Sequence, residues 1–427
     1  MKLSTALLTI VTFQLPLPSV CKKPYKIEIL EQIVGDYEII ALASTFATEW
    51  VNNQTNILPD YELSLKIVDE GYLGSNVPRN IIKFIRSHEN ETINSASPIS
   101  IGPLYTPGCK AGGKFAHHVD HIMLSPSCTG SMLNNRNDYP NLFLALSTLN
   151  PQSYGILKFM REIGGWNKFA LYTNPYNAND FGFAKMFYQV ANEIGMEVLI
   201  LDSVIDFDHE SALALGKSHA RIIVIWSSSN FFDFFCKIWN VGIKGERYIF
   251  FTFNMDLDFN DYDCPEALKD QHKRVLVLNT AALSGDPNGI SSFGYTRNQF
   301  EKLFENYLKF EKNLTNVRDM EYQFVSNDLI MQVAVILDAS EKRLKADQNL
   351  TIRDFNTERQ KVMEVIYDEA LHVDFPALRA DRITYTDLQE PANLTKFISG
   401  RREDERQIFI LFWISNFSQT KCSNICL

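Results

Sequence analysis

Arg221-Ile222-Ile223-Val224-Ile225-Trp226 sits between Ala220 and Ser227, and a helical pattern follows it over residues 231–239. Five successive apolar residues after Arg221 leave no polar face for water. A strand of this kind is buried on both sides, as in a parallel sheet covered by helices. Working outward, the same alternation recurs. Residues 168–172 predict a strand, 183–193 a helix, 196–201 a strand, and 248–253 and 274–278 two more. Upstream, residues 25–30, 63–68, 98–102 and 121–125 predict strands, with helices over 37–51 and 77–87 and another beginning near Cys109. A pattern that restarts after Pro151 predicts two successive α/β arrays, each a mostly parallel sheet flanked by helices. Two long helices, about 296–312 and 327–345, a helix near 358–369, and strands at 382–385 and 407–413 complete the reading.

The chain has 427 residues, enough for two lobes, and 45% apolar residues spread along its length exclude disorder. With 41 Lys and Arg against 51 Asp and Glu, the net charge is −10. No basic run is present, which argues against nucleic acid and against an anionic membrane surface as partners.

Met1-Lys2 precedes an apolar run over residues 3–13 that stops at Pro16 and Pro18, the pattern of a signal peptide spanning residues 1–21. Six acceptor sequons begin at Asn53, Asn90, Asn313, Asn349, Asn393 and Asn416, as in an exported glycoprotein. If Cys21 leaves with the signal, six cysteines remain: Cys109, Cys128, Cys236, Cys264, Cys422 and Cys426. Closeness in sequence suggests the pairs 109–128, 236–264 and 422–426, although six cysteines allow 15 pairings. The apolar run 408–414 has seven residues, too short to span a bilayer, so no membrane span is expected and the chain is expected to be secreted or extracellular.

Three patterns suggest chemistry and are outweighed by plainer readings. Gly108-Cys-Lys-Ala-Gly-Gly-Lys114 matches the first seven positions of a phosphate-binding loop, but Phe115 stands where Ser or Thr must hold Mg²⁺. A structural glycine-rich turn is expected there. His117 and His121 are one helical turn apart, a zinc-compatible spacing, yet no third ligand and no general-base Glu accompany them. The run 256–263 begins like a calcium loop, but Asp261 replaces the required glycine and Ala267 the bidentate Glu. No G-x-S-x-G elbow occurs. The reading is therefore of a chain that is not an enzyme and needs no cofactor.

Several stretches together resemble the receptor-family ligand-binding region. Trp50-Val51-Asn52 followed by Ile57-Leu58-Pro59-Asp60-Tyr61-Glu62-Leu63 and Asp69 is similar to its first helix and second strand. Ile101-Gly102-Pro103 resembles its Gly-Pro turn, and Gly164-Gly-Trp-Asn-Lys-Phe-Ala-Leu-Tyr172 resembles the start of its second lobe. Asp381-Arg382 stands near the end, where the family usually carries Gly-Asp-Arg. The likeness covers roughly residues 25–417 and is nearest to the extracellular region of receptor guanylyl cyclases of natriuretic-peptide-receptor type. It implies a two-lobed, Venus-flytrap fold of type I periplasmic-binding-protein kind. Lobe 1 is expected over about 22–145 and 285–346, and lobe 2 over about 146–284 and 347–427. A ligand touching both lobes would bias them towards closure.

The sequence also departs from the family. The loop after the first strand is cut to about residues 31–36, and Tyr72 stands where a Cys commonly sits. Open α/β sheets bind ligands beyond the carboxyl ends of their strands. Ser125, Ser127 and Thr129 in lobe 1, with Tyr176, Trp226, Ser227, Phe253 and Asn254 in lobe 2, are therefore the expected ligand contacts. The hydroxyls would suit an anionic group, and the aromatics would form a wall. The expected partner is a small molecule or a peptide, held in the interlobe cleft or at a dimer interface, with a homodimer or a receptor as protein partner. Three alternatives stand: a truncated ectodomain of a receptor guanylyl cyclase or metabotropic-type receptor, a ligand-free dimerisation partner, and a zinc or nucleotide enzyme.

Overall fold

The computed structural model describes residues 23–33, 38–71, 74–89, 94–146, 149–162, 164–227, 231–244, 247–253, 275–279, 288–312, 314, 320–377 and 411–413. Two six-stranded sheets organise it. In the first, β1 (Tyr25–Ile33) lies between β2 (Tyr61–Asp69) and an interrupted neighbour made of β3 (Asn94–Ala96) and β4 (Ile99–Ile101). Beyond β4 come β5 (Ile122–Ser125) and β6 (Leu142–Leu144), and every pairing is parallel. In the second, β7 (Lys168–Thr173) pairs with β8 (Glu197–Ser203) and β9 (Ile222–Trp226). The order then runs through β10 (Ile249–Phe253) and β11 (Val275–Asn279) to an antiparallel β12 (Leu411–Trp413).

Both sheets are covered on both faces, and single strands show how. On β1, Ile27 and Ile29 enter the core beneath α1 (Glu38–Asn52) and the long helix α9 (Met320–Asp347). The alternate residue Leu30 joins the core beneath α2 (Val77–Ser87) and α3 (Thr106–His118). On β9, Ile222 and Val224 pack with α4 (Leu149–Glu162) and α5 (Ala178–Glu193). Ile223 and Ile225 pack with α6 (His209–Ser218) and α7 (Phe231–Asn240). Period-two alternation between two apolar cores is the reason this run contains no polar position.

Local signals set several helix starts. Pro78 and Pro107 fall in the first turns of α2 and α3, where a missing N–H costs nothing. The Asp208 side chain caps α6, and a capping box of Thr296 and Gln299 starts α8 (Arg297–Glu311).

Three expectations change. Strand β1 continues to Ile33, three residues past the apolar run, because Glu31 and Gln32 are fully buried in its last turn of pleat. The span 347–427 does not belong wholly to lobe 2. The 3₁₀ turn Ile352–Asn356 and α10 (Arg359–Leu371) bury Ile352, Phe355, Val362, Val365 and Ile366 in the first lobe's core, and Phe375 follows them. Among the described residues of that span, β12 alone pairs with the second sheet. Lastly, the glycine-rich run 108–114 lies inside α3 and forms no loop. A Cβ at Gly112 would stand 2.4 Å from Val77 Cγ1, so the glycine lets α3 approach α2.

Candidate functional site

At the carboxyl edge of the first sheet the loops are cross-linked by hydrogen bonds and by a disulfide. Ser125 ends β5 and is fully buried. Its Oγ donates to the Pro103 carbonyl at 2.8 Å and accepts from the Cys128 N–H at 3.1 Å. Ser127 Oγ donates to the Leu104 carbonyl at 2.6 Å. Two of the three lobe 1 hydroxyls expected to meet ligand are thus engaged in holding the 103–104 turn against the 125–128 turn. Thr129 follows, half-buried. Cys109 on α3 and Cys128 in the loop form the disulfide that closeness in sequence suggested.

Two carboxylic acids that the sequence reading passed over complete this edge. Glu70, fully buried after β2, accepts from the Leu104 N–H at 2.8 Å and the Tyr105 N–H at 3.3 Å. Loss of water outweighs these bonds and raises its carboxyl to about 7. Glu31, near the end of β1, accepts from Ser44 Oγ at 2.6 Å, and its other oxygen is buried without a partner among the described residues. Burial raises it from 4.5 to about 8, which favours the neutral acid where a free glutamate would be ionised. The signal that could have found both is a carboxylate at the end of an apolar strand, where hydropathy alone marks only the strand's close.

The titration of Glu31 gives a first expected result. Between pH 4.5 and about 8 the folded protein keeps this proton while the unfolded chain releases it. The stability carried by the neutral acid is therefore complete below pH 4.5 and is lost as pH rises through about 8. At about 1.4 kcal/mol per pKa unit the loss amounts to several kcal/mol. Glu31→Gln keeps the size and has no proton to lose. Its melting temperature should exceed that of the parent by a wider margin at pH 8 than at pH 5. An equal margin at both pH values would place the Glu31 carboxyl near its ordinary range.

The second sheet presents a different edge. Tyr176, in the turn after β7, is 75% exposed. Its hydroxyl donates to Asp206 Oδ2 at 3.1 Å, in the loop after β8, and its N–H donates to Asn174 Oδ1 at 3.0 Å. The adjacent carboxylate holds the phenol above its ordinary range. Trp226, at the end of β9, is half-buried and stacks face to face on Phe183 of α5, so its ring extends the core. Ser227 is buried beside it. Phe253 is the last residue of β10, and Asn254 lies outside the described residues, as does the 256–263 acidic run. Of the expected lobe 2 contacts whose burial is described, Tyr176 stands open to solvent, Trp226 is half-buried and Ser227 is buried.

The histidines do not assemble. His117 is exposed on the last turn of α3, whereas His121 is fully buried, with both ring nitrogens unpartnered and its pKa lowered to about 3 by burial. Among the described residues no three His, Cys, Asp or Glu side chains are grouped to hold a metal. Cys236 on α7 is disulfide-bonded, while Cys264, Cys422 and Cys426 lie outside the described residues. Asn53 and Asn349 are exposed, and the other four sequon asparagines fall outside the description. No described helix is long and apolar enough to cross a membrane.

Two covered parallel sheets, with loops gathered at their carboxyl edges, define a ligand-binding fold of type I periplasmic-binding-protein class. Residues 39–380 match the receptor family ligand binding region, and the chain belongs to that family. No curated protein matches. Among the solved structures that share the fold are two described as an ABC transporter substrate-binding protein from Desulfitobacterium hafniense. The one in complex with Leu aligns with a TM-score of 0.58 at 13% identity, over 90% of this chain and 100% of that one. The other gives 0.59 at 13% identity, over 91% and 100%.

Proposed function

We propose that this chain is an exported, receptor-type ligand-binding module that holds a small molecule or a peptide between the carboxyl edges of its two lobes and carries out no catalysis. Membership of the receptor family ligand binding region supports binding as the activity. The observation that carries the site is Tyr176. It sets an aromatic ring, 75% exposed and braced by Asp206, beyond the carboxyl end of a parallel strand, which is where open α/β sheets bind ligands. The bonded floor of the first lobe, formed by Ser125, Ser127, Glu70 and the disulfide, would supply a rigid surface facing it. Export agrees with the buried Cys109–Cys128 disulfide, since such bonds persist in oxidising compartments.

A thermal-shift screen of the secreted protein against amino acids, amines and a crude peptide fraction tests the reading. One class should raise the melting temperature saturably, because binding to the folded state stabilises it by mass action. Tyr176→Ala should weaken that ligand by about tenfold or more, the usual cost of removing a central aromatic anchor. Its unliganded melting temperature should stay unchanged, since the ring is exposed. No shift with any class would remove ligand binding and leave a dimerising relative as the better account.

A further inference from the structure

We propose that Asn53 and Asn349 both carry N-linked glycans, and that the end of the first lobe they share faces solvent and is covered by no protein partner. The inference rests on the export reading above and goes beyond it by assigning two modification sites and one face.

Helix α1 ends at Asn52 and α9 at Asp347, so each acceptor lies just past a helix end. Side chains join the two ends. The Leu58 N–H donates to Asp338 Oδ1 at 2.9 Å, the Tyr61 hydroxyl donates to Glu341 Oε1 at 2.9 Å, and Lys345 Nζ donates to Asp60 Oδ2 at 3.3 Å. Because β2 starts at Tyr61, this junction marks the amino edge of the first sheet, opposite the carboxyl edge that faces ligand. Asn53 and Asn349 are both exposed there.

The two sequons differ in what the fold asks of them. Asn52 serves the fold, donating through Nδ2 to the Leu63 carbonyl and accepting from the Leu63 N–H, each within 2.8 Å. Asn53 and Thr55 are simply exposed. Asn349 has a backbone reason to be asparagine, at φ +54°, and Thr351 bonds Asp354 through its hydroxyl and its N–H. Exposure still leaves the Asn349 amide able to carry a sugar chain. A second observation concerns the face itself. The exposed large apolar side chains of the described residues, among them Ile67, Phe181, Tyr188 and Leu201, all lie outside 49–61 and 338–352. Charged groups (Asp60, Lys342, Lys345 and Asp347) line this end instead, and among the described residues 49–61 and 338–352 there is no exposed large apolar side chain of the kind that anchors protein interfaces.

The modification is a glycosyl transfer from a lipid-linked oligosaccharide diphosphate. The sugar C1–O bond breaks, and the lipid diphosphate leaves with the electron pair. A C1–Nδ2 bond forms, and the amide gives one proton to the transferase's base. Transfer happens on the unfolded chain, so the folded state needs only to leave both side chains in water.

The full chain secreted from eukaryotic cells provides the test. Enzymatic glycan release in heavy-oxygen water converts each glycan-bearing Asn to labelled Asp, which peptide mass spectrometry reads. Labelled Asp is expected at 53 and at 349. Asn53→Gln and Asn349→Gln should each remove one glycan's mass from the intact protein. The association state, read by light scattering, should be the same before and after trimming. Secreted protein with unlabelled Asn at either position overturns that site, and a change of association state on trimming overturns the solvent-facing end. Cell-retained protein with no labelled sequon at all would refute export itself, and this proposal with it.

Discussion

Gly102→Ala should cost this protein more than about 3 kcal/mol, a large share of the 5–15 kcal/mol that usually separates folded from unfolded domains. Gly102 follows β4 with φ at +95°, where side-chain-bearing residues are strained. An added Cβ would lie 2.2 Å from the Gln32 carbonyl oxygen, on the neighbouring strand. Backbone cannot swing aside as a flexible side chain can, so β1 and β4 would have to part at the carboxyl edge. That edge holds Glu31, Gln32 and the 103–104 turn to which Ser125 and Ser127 donate. The loss should therefore appear in denaturant midpoint and in secreted yield alike. Gly182→Ala is the contrasting case. It lies in α5 with nothing near its Cβ direction and should stabilise by about 0.5–1 kcal/mol. A Gly102→Ala protein within about 1 kcal/mol of the parent would mean that the strand pairing at this edge is looser than its atoms imply.

The second large effect concerns the Cys109–Cys128 bridge, replaced at both positions by serine so that no lone thiol remains. The bridge spans a sequence separation of 19, and constraint of the unfolded chain by a loop of that size is worth roughly 3 kcal/mol. Both sulfurs are fully buried beside the Pro103 carbonyl, at 3.7 and 3.5 Å, so two hydroxyls would take the place of a packed apolar group. Urea unfolding should show a lower midpoint, with a slope no shallower than the parent's because the unfolded chain is freed of its cross-link. Proteolysis should increase between residues 125 and 135, since the bridge ties that loop to α3. A loss of unfolding free energy below about 1 kcal/mol would show that the hydrogen bonds made by Ser125 and Glu70 hold the edge unaided.

Much of this architecture is legible in the sequence because parallel strands between helix layers must be apolar on both sides. The runs at 169–172 and 222–226 carry that requirement in every residue, and the structure places both in the interior of the second sheet. The short strand β3 gives no such signal. Asn94-Ser95-Ala96 pairs with β1 through backbone alone, and three residues are too few for a period to show. The return of residues 352–377 to the first lobe is equally hidden, since amphipathic helices do not say which sheet they cover.

The candidate site was legible as a place and only partly as residues. Strand ends can be read from hydropathy, and they led to Ser125, Ser127, Tyr176, Trp226 and Ser227. What a side chain does beyond the strand depends on partners distant in sequence. Ser127 is held by the Leu104 carbonyl, Trp226 is covered by Phe183, and Tyr176 is braced by Asp206. Glu31 escaped notice for the same reason. Its neutral form depends on burial, which outweighs the opposing hydrogen bond donated by Ser44 from α1.

Hydrogen–deuterium exchange tests the central claim most directly. The secreted protein would be compared alone and with the compound from the amino-acid, amine and peptide panel that raises its melting temperature most. Ligand held between the lobes should slow exchange in two separated stretches, around residues 125–130 of the first lobe and around 174–177 and 205–207 of the second. Protection confined to one lobe, or falling at the amino edges of the sheets, would contradict binding between the lobes.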